Sequence, residues 1–264
     1  MNDDRILKVI FWASAALALV ALFQKDSLPP PQEALPELYR EPVQTEVTLA
    51  PFVRTRGGIA YTITPLYSYE LYGMVVSYAE SRNWADFYHE QWRDHLNVKD
   101  IGVIWGENIK SGGYRDLKFS NCAWMLMTEP KNWKTYRQIK FNHDKISNNH
   151  LLSDSDEINR RILSAKKGDQ IYFKGYLAQY SHSNGRFSRG TSICRTDMGN
   201  GACETVFVTD FKVLKRANPG WRFLFKVFVA VFLISLLTIV SRFVRRGMTL
   251  PPPEHEFTQP NENQ

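Results

Sequence analysis

The chain has 264 residues, 44% hydrophobic and 13% aromatic, which is enough to bury a core in one domain of ordinary size. Its formal charge is +6 and its pI is near 9.1, but the basic residues are scattered and partly flank apolar segments. Without a basic stripe or an interleaved aromatic motif, the composition argues against nucleic acid as a partner.

From Val9 to Phe23 there are fifteen residues without a charge, and Ile6, Leu7 and a snorkelling Lys8 extend the run to eighteen. That length just spans a bilayer. A cleaved signal peptide is the competing reading, but ASA and ALA lie too early in the run and no small-residue site follows Phe23. Residues 1–23 are therefore expected to form an N-terminal transmembrane anchor. Residues 24–51, with prolines at 29, 30, 31, 36, 42 and 51, read as a spacer. Such chain extends at about 3.1 Å per residue and holds a domain clear of the lipid, or else packs along the domain as an irregular arm.

A second apolar run, Phe223 to Val240, is interrupted only by Lys226 and preceded by Trp221 at an interfacial position. Residues 221–244 are expected to be a C-terminal transmembrane helix, and the polar, proline-rich 245–264 a disordered cytoplasmic tail. Arg5 and Lys8 before the first span, and Arg242, Arg245 and Arg246 after the second, place both termini in the cytoplasm by the positive-inside rule. Residues 52–216 then form an extracytoplasmic domain. Lys212, Lys215, Arg216 and Arg222 weigh against that orientation, although long domains translocate largely regardless of such charges.

Within the domain, GIAYTITPLYSYELYGMVVSY reads as two strands, or one strand bent at Pro65. SRNWADFYHEQWRDHL follows with helical spacing, opened by Ser81 or Asn83. Its stripe of Trp84, Tyr88 and Trp92 reads as core rather than a ligand platform. Ile101 to Trp105 is a strand that turns at Gly106 into a polar loop, and Cys122 heads a short apolar run. Ser153 or Asp154 caps a helix from about Ser155 to Ala165.

After the Gly168-Asp169 turn, Ile171, Phe173 and Tyr176 mark a strand, with Gly175 at a bulge or where another backbone comes close. HSNGR turns the chain into a second strand, FSRGTSICR. Gly199 and Gly201 turn it again into a third, which carries Val206, Val208 and Phe211. The expected fold is a mainly β (α+β) domain flanked by two transmembrane helices. A small OB-like barrel is a specific possibility, and a plain α+β sheet fits almost as well.

Candidate functional groups lie in two stretches. His143 and His150, with Asp144, Asn148 and Asn149, crowd into eight residues. Their spacing is not one that metals select, so no metal or cofactor is expected, and a network satisfying an irregular loop is the better reading. Arg195, Asp197 and Glu204 surround glycines as an ion or anion cradle, or as a local ion pair. Cys194 and Cys203 bracket that turn. A hairpin there brings their Cα atoms to about 5.5 Å, the separation of a disulfide worth about 2–3 kcal/mol, while pairing of Cys122 with Cys203, or no bridge, stays open. A nucleophilic Cys203 is disfavoured, because the adjacent Glu204 raises a thiol pKa.

The succession VKDIGVIWGENI, ISNNHLL, KKGDQIYFKGYL and FSRGTSICRTDMGNGACETVFVTDF, within Ile63 to Leu214, resembles a family of bacterial exported or membrane-anchored proteins without an established activity. The resemblance implies a shared domain at the bacterial envelope, with ISNNH and GNGACE as signature positions. Cys194 lies outside that pattern, which weakens its bridge to Cys203. Two functions follow as expectations. One is a non-catalytic binding or assembly module partnered by other membrane or envelope proteins at the bacterial inner membrane. The other is an envelope-polymer hydrolase using His143, His150, Asp197 or Glu204.

Overall fold

In chain order the elements are α1 (Asn2–Lys25), β1 (Val43–Glu46), β2 (Phe52–Arg56), β3 (Ile59–Glu80), α2 (Phe87–Gln91), β4 (Asn97–Ile104), α3 (Glu107–Ser111), β5 (Leu117–Cys122), β6 (Met125–Pro130), β7 (Ile146–Leu152), α4 (Asp156–Ser164), β8 (Gln170–His182), β9 (Phe187–Arg189), β10 (Glu204–Lys215) and α5 (Pro219–Met248). This computed structural model describes residues 2–81, 87–122, 125–183, 187–197, 199 and 202–248. Trp84, most of the HSNGR turn, part of the TDMGNG turn and the expected tail from Thr249 lie outside the described residues. The chain divides into two units, one of Met1–Lys25 with Gly220–Gln264 and one of Asp26–Pro219.

In the terminal unit, α1 and α5 are each long and apolar enough to cross a membrane. They run antiparallel. Asp4 pairs with Arg242 at 2.8 Å, Phe11 stacks on Phe232 with centroids 4.8 Å apart, and the Lys25 ammonium lies 5.4 Å from the Phe225 ring.

The other unit is organised by β3, a single bent strand of 22 residues whose register shifts between Pro65 and Tyr67. Its first two-thirds pairs with β8, and its last third, from Met74 onward, pairs with β4. β4 pairs with β7, β7 runs parallel to β10, and β10 pairs with β8. Following these pairings from β3 therefore leads back to β3. β1 and β2 line its other edge, and β5 with β6 forms a separate hairpin inserted between β4 and β7.

The main core joins Leu71, Val75, Ile101, Val103, Leu151, Phe173, Val206 and Phe211. Each such side chain contributes about 1.5–3 kcal/mol by leaving water. Helix α4 forms where expected, but its cap is Ser155 rather than Ser153 or Asp154: the Ser155 hydroxyl accepts from the Ile158 N–H, and Ile162 is fully buried beneath the helix. Gly175 lies opposite Val208, beside a register shift in β10. A Cβ at Gly175 would collide with the Phe207 carbonyl, the close approach its place in the sequence suggested.

Three expectations change. Residues 26–51 belong to the domain and form an arm upon it. Leu38 is fully buried, and Leu28, Ala34, Leu35 and Tyr39 pack with it on Met74, Val76 and Tyr114. The prolines preset two 3-10 turns, Pro31–Glu33 and Pro36–Tyr39, and the leucines beside them supply the apolar grip. ISNNH is not an irregular loop but the heart of β7. Lastly, the second strand of the C-terminal group shrinks to Phe187–Arg189, and residues 190–197 after it are irregular.

Candidate functional site

Strand β7 is buried on both faces, so its polar residues must find partners in the protein. Side chains alternate along a strand. Asn148 and His150 therefore take one face, and Ser147, Asn149 and Leu151 take the other. Cross-strand register extends each set, with His150 beside Asp100 of β4 and Thr205 of β10, and Asn149 beside Ile101 and Glu204.

On the first face His150 Nδ1 lies 2.6 Å from Asp100 Oδ1, and its Nε2 lies 2.5 Å from an Arg189 guanidinium nitrogen. A guanidinium has only protons to give. The contact therefore makes Nε2 the acceptor and leaves the ring proton on Nδ1, close to Asp100 but not aligned as a hydrogen bond; Asp100 Oδ2 and Asn97 Oδ1 are likewise buried with no hydrogen-bond partner among the described residues. Asn97 holds the same carboxylate by an N–H donated to Oδ1 at 2.9 Å, and its amide nitrogen also lies 3.0 Å from His89 Nε2. Nearby, Asp94 accepts from the Tyr180 hydroxyl at 2.5 Å and from the Asn97 N–H at 3.3 Å.

Burial pushes the Asp100 carboxyl up, but His150 and the Asn97 amide outweigh it and hold it below the usual carboxylate range. For Asp94 burial wins over Tyr180 and His89, and its pKa is raised. Further along this face Asn121 donates to Asn148 at 2.8 Å, and Asn148 donates to the Cys203 thiol at 3.5 Å. Burial raises that thiol despite the hydrogen bond, which makes it a poor nucleophile.

The opposite face carries Glu204, Asn149, Ser147, Tyr69 and Trp105. Arg195 reaches in from the irregular segment, with its guanidinium 4.9 Å from the Trp105 ring and donating to the Tyr69 hydroxyl at 3.3 Å. Trp105 in turn donates to Glu41, which also pairs with Lys145 at 2.9 Å. Asn149 donates to the Ser147 hydroxyl at 2.7 Å. One oxygen of Glu204, one nitrogen of Arg195 and the Asn149 carbonyl oxygen are buried without a hydrogen-bond partner among the described residues. Burial drives Glu204 up to about 8, against the pull of Arg195.

The expected cluster is thus divided. Asn149, Arg195 and Glu204 come together on one face, and Asn148 and His150 lie on the other. His143 is apart from both, exposed before β7 with its ring 5.3 Å from Phe141, and Asp197 is exposed, accepting from Ser192 at 2.6 Å. The proposed disulfide between Cys194 and Cys203 is not formed, and Cys122 is likewise a thiol. Cys194 is exposed with its sulfur 3.6 Å from the Thr196 hydroxyl, whereas Cys203 turns inward to Asn148.

Asp100, Arg189, Asn97, Asp94 and Tyr69 were not anticipated. Only Asp100 left a clear trace, an acid inside the apolar run VKDIGVI that has to be paired if the run is buried. No family model, curated protein or solved structure matches this chain.

Proposed function

We propose that the chain is a non-catalytic binding and assembly module of a bacterial inner-membrane complex. In this reading α1 and α5 cross the membrane, both termini are cytoplasmic, and the β-rich domain stands in the periplasm. Its partners are other membrane or envelope proteins.

The observation that carries the proposal is the state of His150. Its Nε2 accepts from Arg189, and its Nδ1 lies 2.6 Å from Asp100 in a buried cluster. An imidazole so held has no lone pair for a substrate proton. Glu204, the other group an acid–base reaction would need, is one register step away and so faces the opposite side of the sheet. On this register His150 and Glu204 do not share a face on which to act together.

We read the circuit of β3, β4, β7, β10 and β8 as a small OB-type barrel. Support comes from the long bent β3 shared by two neighbours, the parallel pairing of β7 with β10, and α4 placed between β7 and β8. The orientation rests on Arg5 and Lys8 at one end and Arg242 and Arg245 at the other.

The test is purification of the tagged full chain from gently solubilised membranes. A single envelope protein in fixed stoichiometry is expected, lost when residues 26–219 are replaced by an unrelated soluble domain. Recovery of no stoichiometric protein, together with turnover of a cell-wall polymer by the purified chain, would overturn the reading.

A further inference from the structure

The stretch from Pro130 to His143 contains Lys131, Lys134, Arg137 and Lys140 and no acidic residue. Its centre is a 3-10 turn, Trp133–Gln138, in which every residue is exposed. A 3-10 helix has three residues per turn, so side chains three apart share an edge. Trp133 and Tyr136 form one such edge, with ring centroids 5.7 Å apart, and Lys134 and Arg137 form the next. Trp133 is 73% exposed and Tyr136 48%. Large aromatics beside a row of cations, all in water, are the side-chain set found where proteins meet the headgroup layer of a bilayer.

The position of this turn identifies the occupant. Asn218, at the domain's exit, donates to the Ser27 carbonyl at its entrance, 2.7 Å away, so both connections to the terminal helices leave the domain together. From that point contacts lead to the turn. The Tyr114 hydroxyl donates to the Pro29 carbonyl at 2.5 Å, and Lys131, two residues before the turn, donates to the Arg115 carbonyl at 2.6 Å. Lys167 has both Asp26 and Lys131 as charged neighbours. The aromatic and basic edges thus stand at the end of the domain where its membrane connections emerge.

We propose that this turn docks on the bilayer surface, with Trp133 and Tyr136 entering the headgroup layer and Lys131, Lys134, Arg137 and Lys140 meeting anionic lipid phosphates. The inference rests on the reading of α1 and α5 as membrane spans.

The full chain is reconstituted in vesicles of brominated phosphatidylcholine with and without phosphatidylglycerol. Emission of Trp133 is taken as the difference between wild type and Trp133→Phe, and that of Trp12, on α1, in the same way. Trp133 emission is expected to shift to the blue and be quenched in the anionic vesicles. Both effects should weaken in high salt and in the triple variant Lys134→Gln, Arg137→Gln, Lys140→Gln, whose exposed positions leave the fold intact. Quenching of Trp12 with Trp133 left red-shifted and unquenched would overturn this inference alone. A blue-shifted but unquenched Trp133 would also overturn it, in favour of a protein contact. An unquenched Trp12 would remove the membrane reading and this inference together.

Discussion

The side chain of Asn218 bonds the backbone of Ser27, its Nδ2 donating to the carbonyl at 2.7 Å and lying 3.2 Å from the hydroxyl. Asn218 also sits at φ 46°, the left-handed region that asparagine tolerates better than most residues. Asn218→Ala is therefore expected to cost about 1–2 kcal/mol, from a lost hydrogen bond plus backbone strain. Asn218→Gly should recover the strain and not the bond. Thermal melts of the full chain in detergent check both, and equal stability of the alanine variant and wild type would contradict the clamp.

One residue further in, buried Asp169 secures the same exit. It accepts from the Ala217 N–H at 2.8 Å and the Lys166 N–H at 3.0 Å, with Arg216 at 3.6 Å. Hydrogen bonds to a charged acceptor are worth about 1.5–3 kcal/mol. Asp169→Ala should lose at least one such increment and release Ala217 to solvent. Faster hydrogen exchange at Ala217 is the signature to look for.

Gly175→Ala forces a methyl against the Phe207 carbonyl in the centre of the sheet. Backbone cannot yield as a side chain can, so the expected loss is about 3 kcal/mol or more. A melt of the full chain with no change at this substitution would refute the close approach.

Glu204 makes stability depend on pH. Its pKa rises from an ordinary 4.5 to about 8 on folding, so between these values the folded chain keeps a proton that the unfolded chain has lost. Stability therefore falls as pH rises through that window, by on the order of a few kcal/mol, and stays at the lower level above it. Glu204→Gln should flatten this slope and be the more stable protein on the alkaline side. The comparison is of melting temperatures across the window.

Much of the β-rich fold was legible because its signals are local. Ile158 and Ile162 mark α4, Gly168-Asp169 announces β8, and Val206, Val208 and Phe211 mark β10. The arm was ambiguous because proline-rich chain looks the same extended in water or laid on a surface, and what decides is whether Leu35 and Leu38 find Met74 and Tyr114. Strand β7 was hidden for the opposite reason. Asparagine is poor in strands, and ISNNH becomes one only because β4 and β10 lie on either side of it. Mistaking it for a loop put His150 with His143 and Glu204, whereas the pleat turns Glu204 to the opposite face and His143 lies in the turn before the strand. Asp100 and Arg189, 50 and 39 residues from His150, are joined to it by tertiary structure alone.

The central claim is that His150 belongs to a buried structural network rather than to a reactive centre, and the proton on its ring tests this most directly. Nitrogen chemical shifts of the full chain labelled at its 6 histidines, with His150 assigned by its loss in His150→Asn, report that proton at neutral pH. The contact with Arg189 predicts that Nε2 is bare and the ring proton sits on Nδ1. A ring protonated at Nε2, or at both nitrogens, would contradict the contact with Arg189 and reopen the acid–base reading.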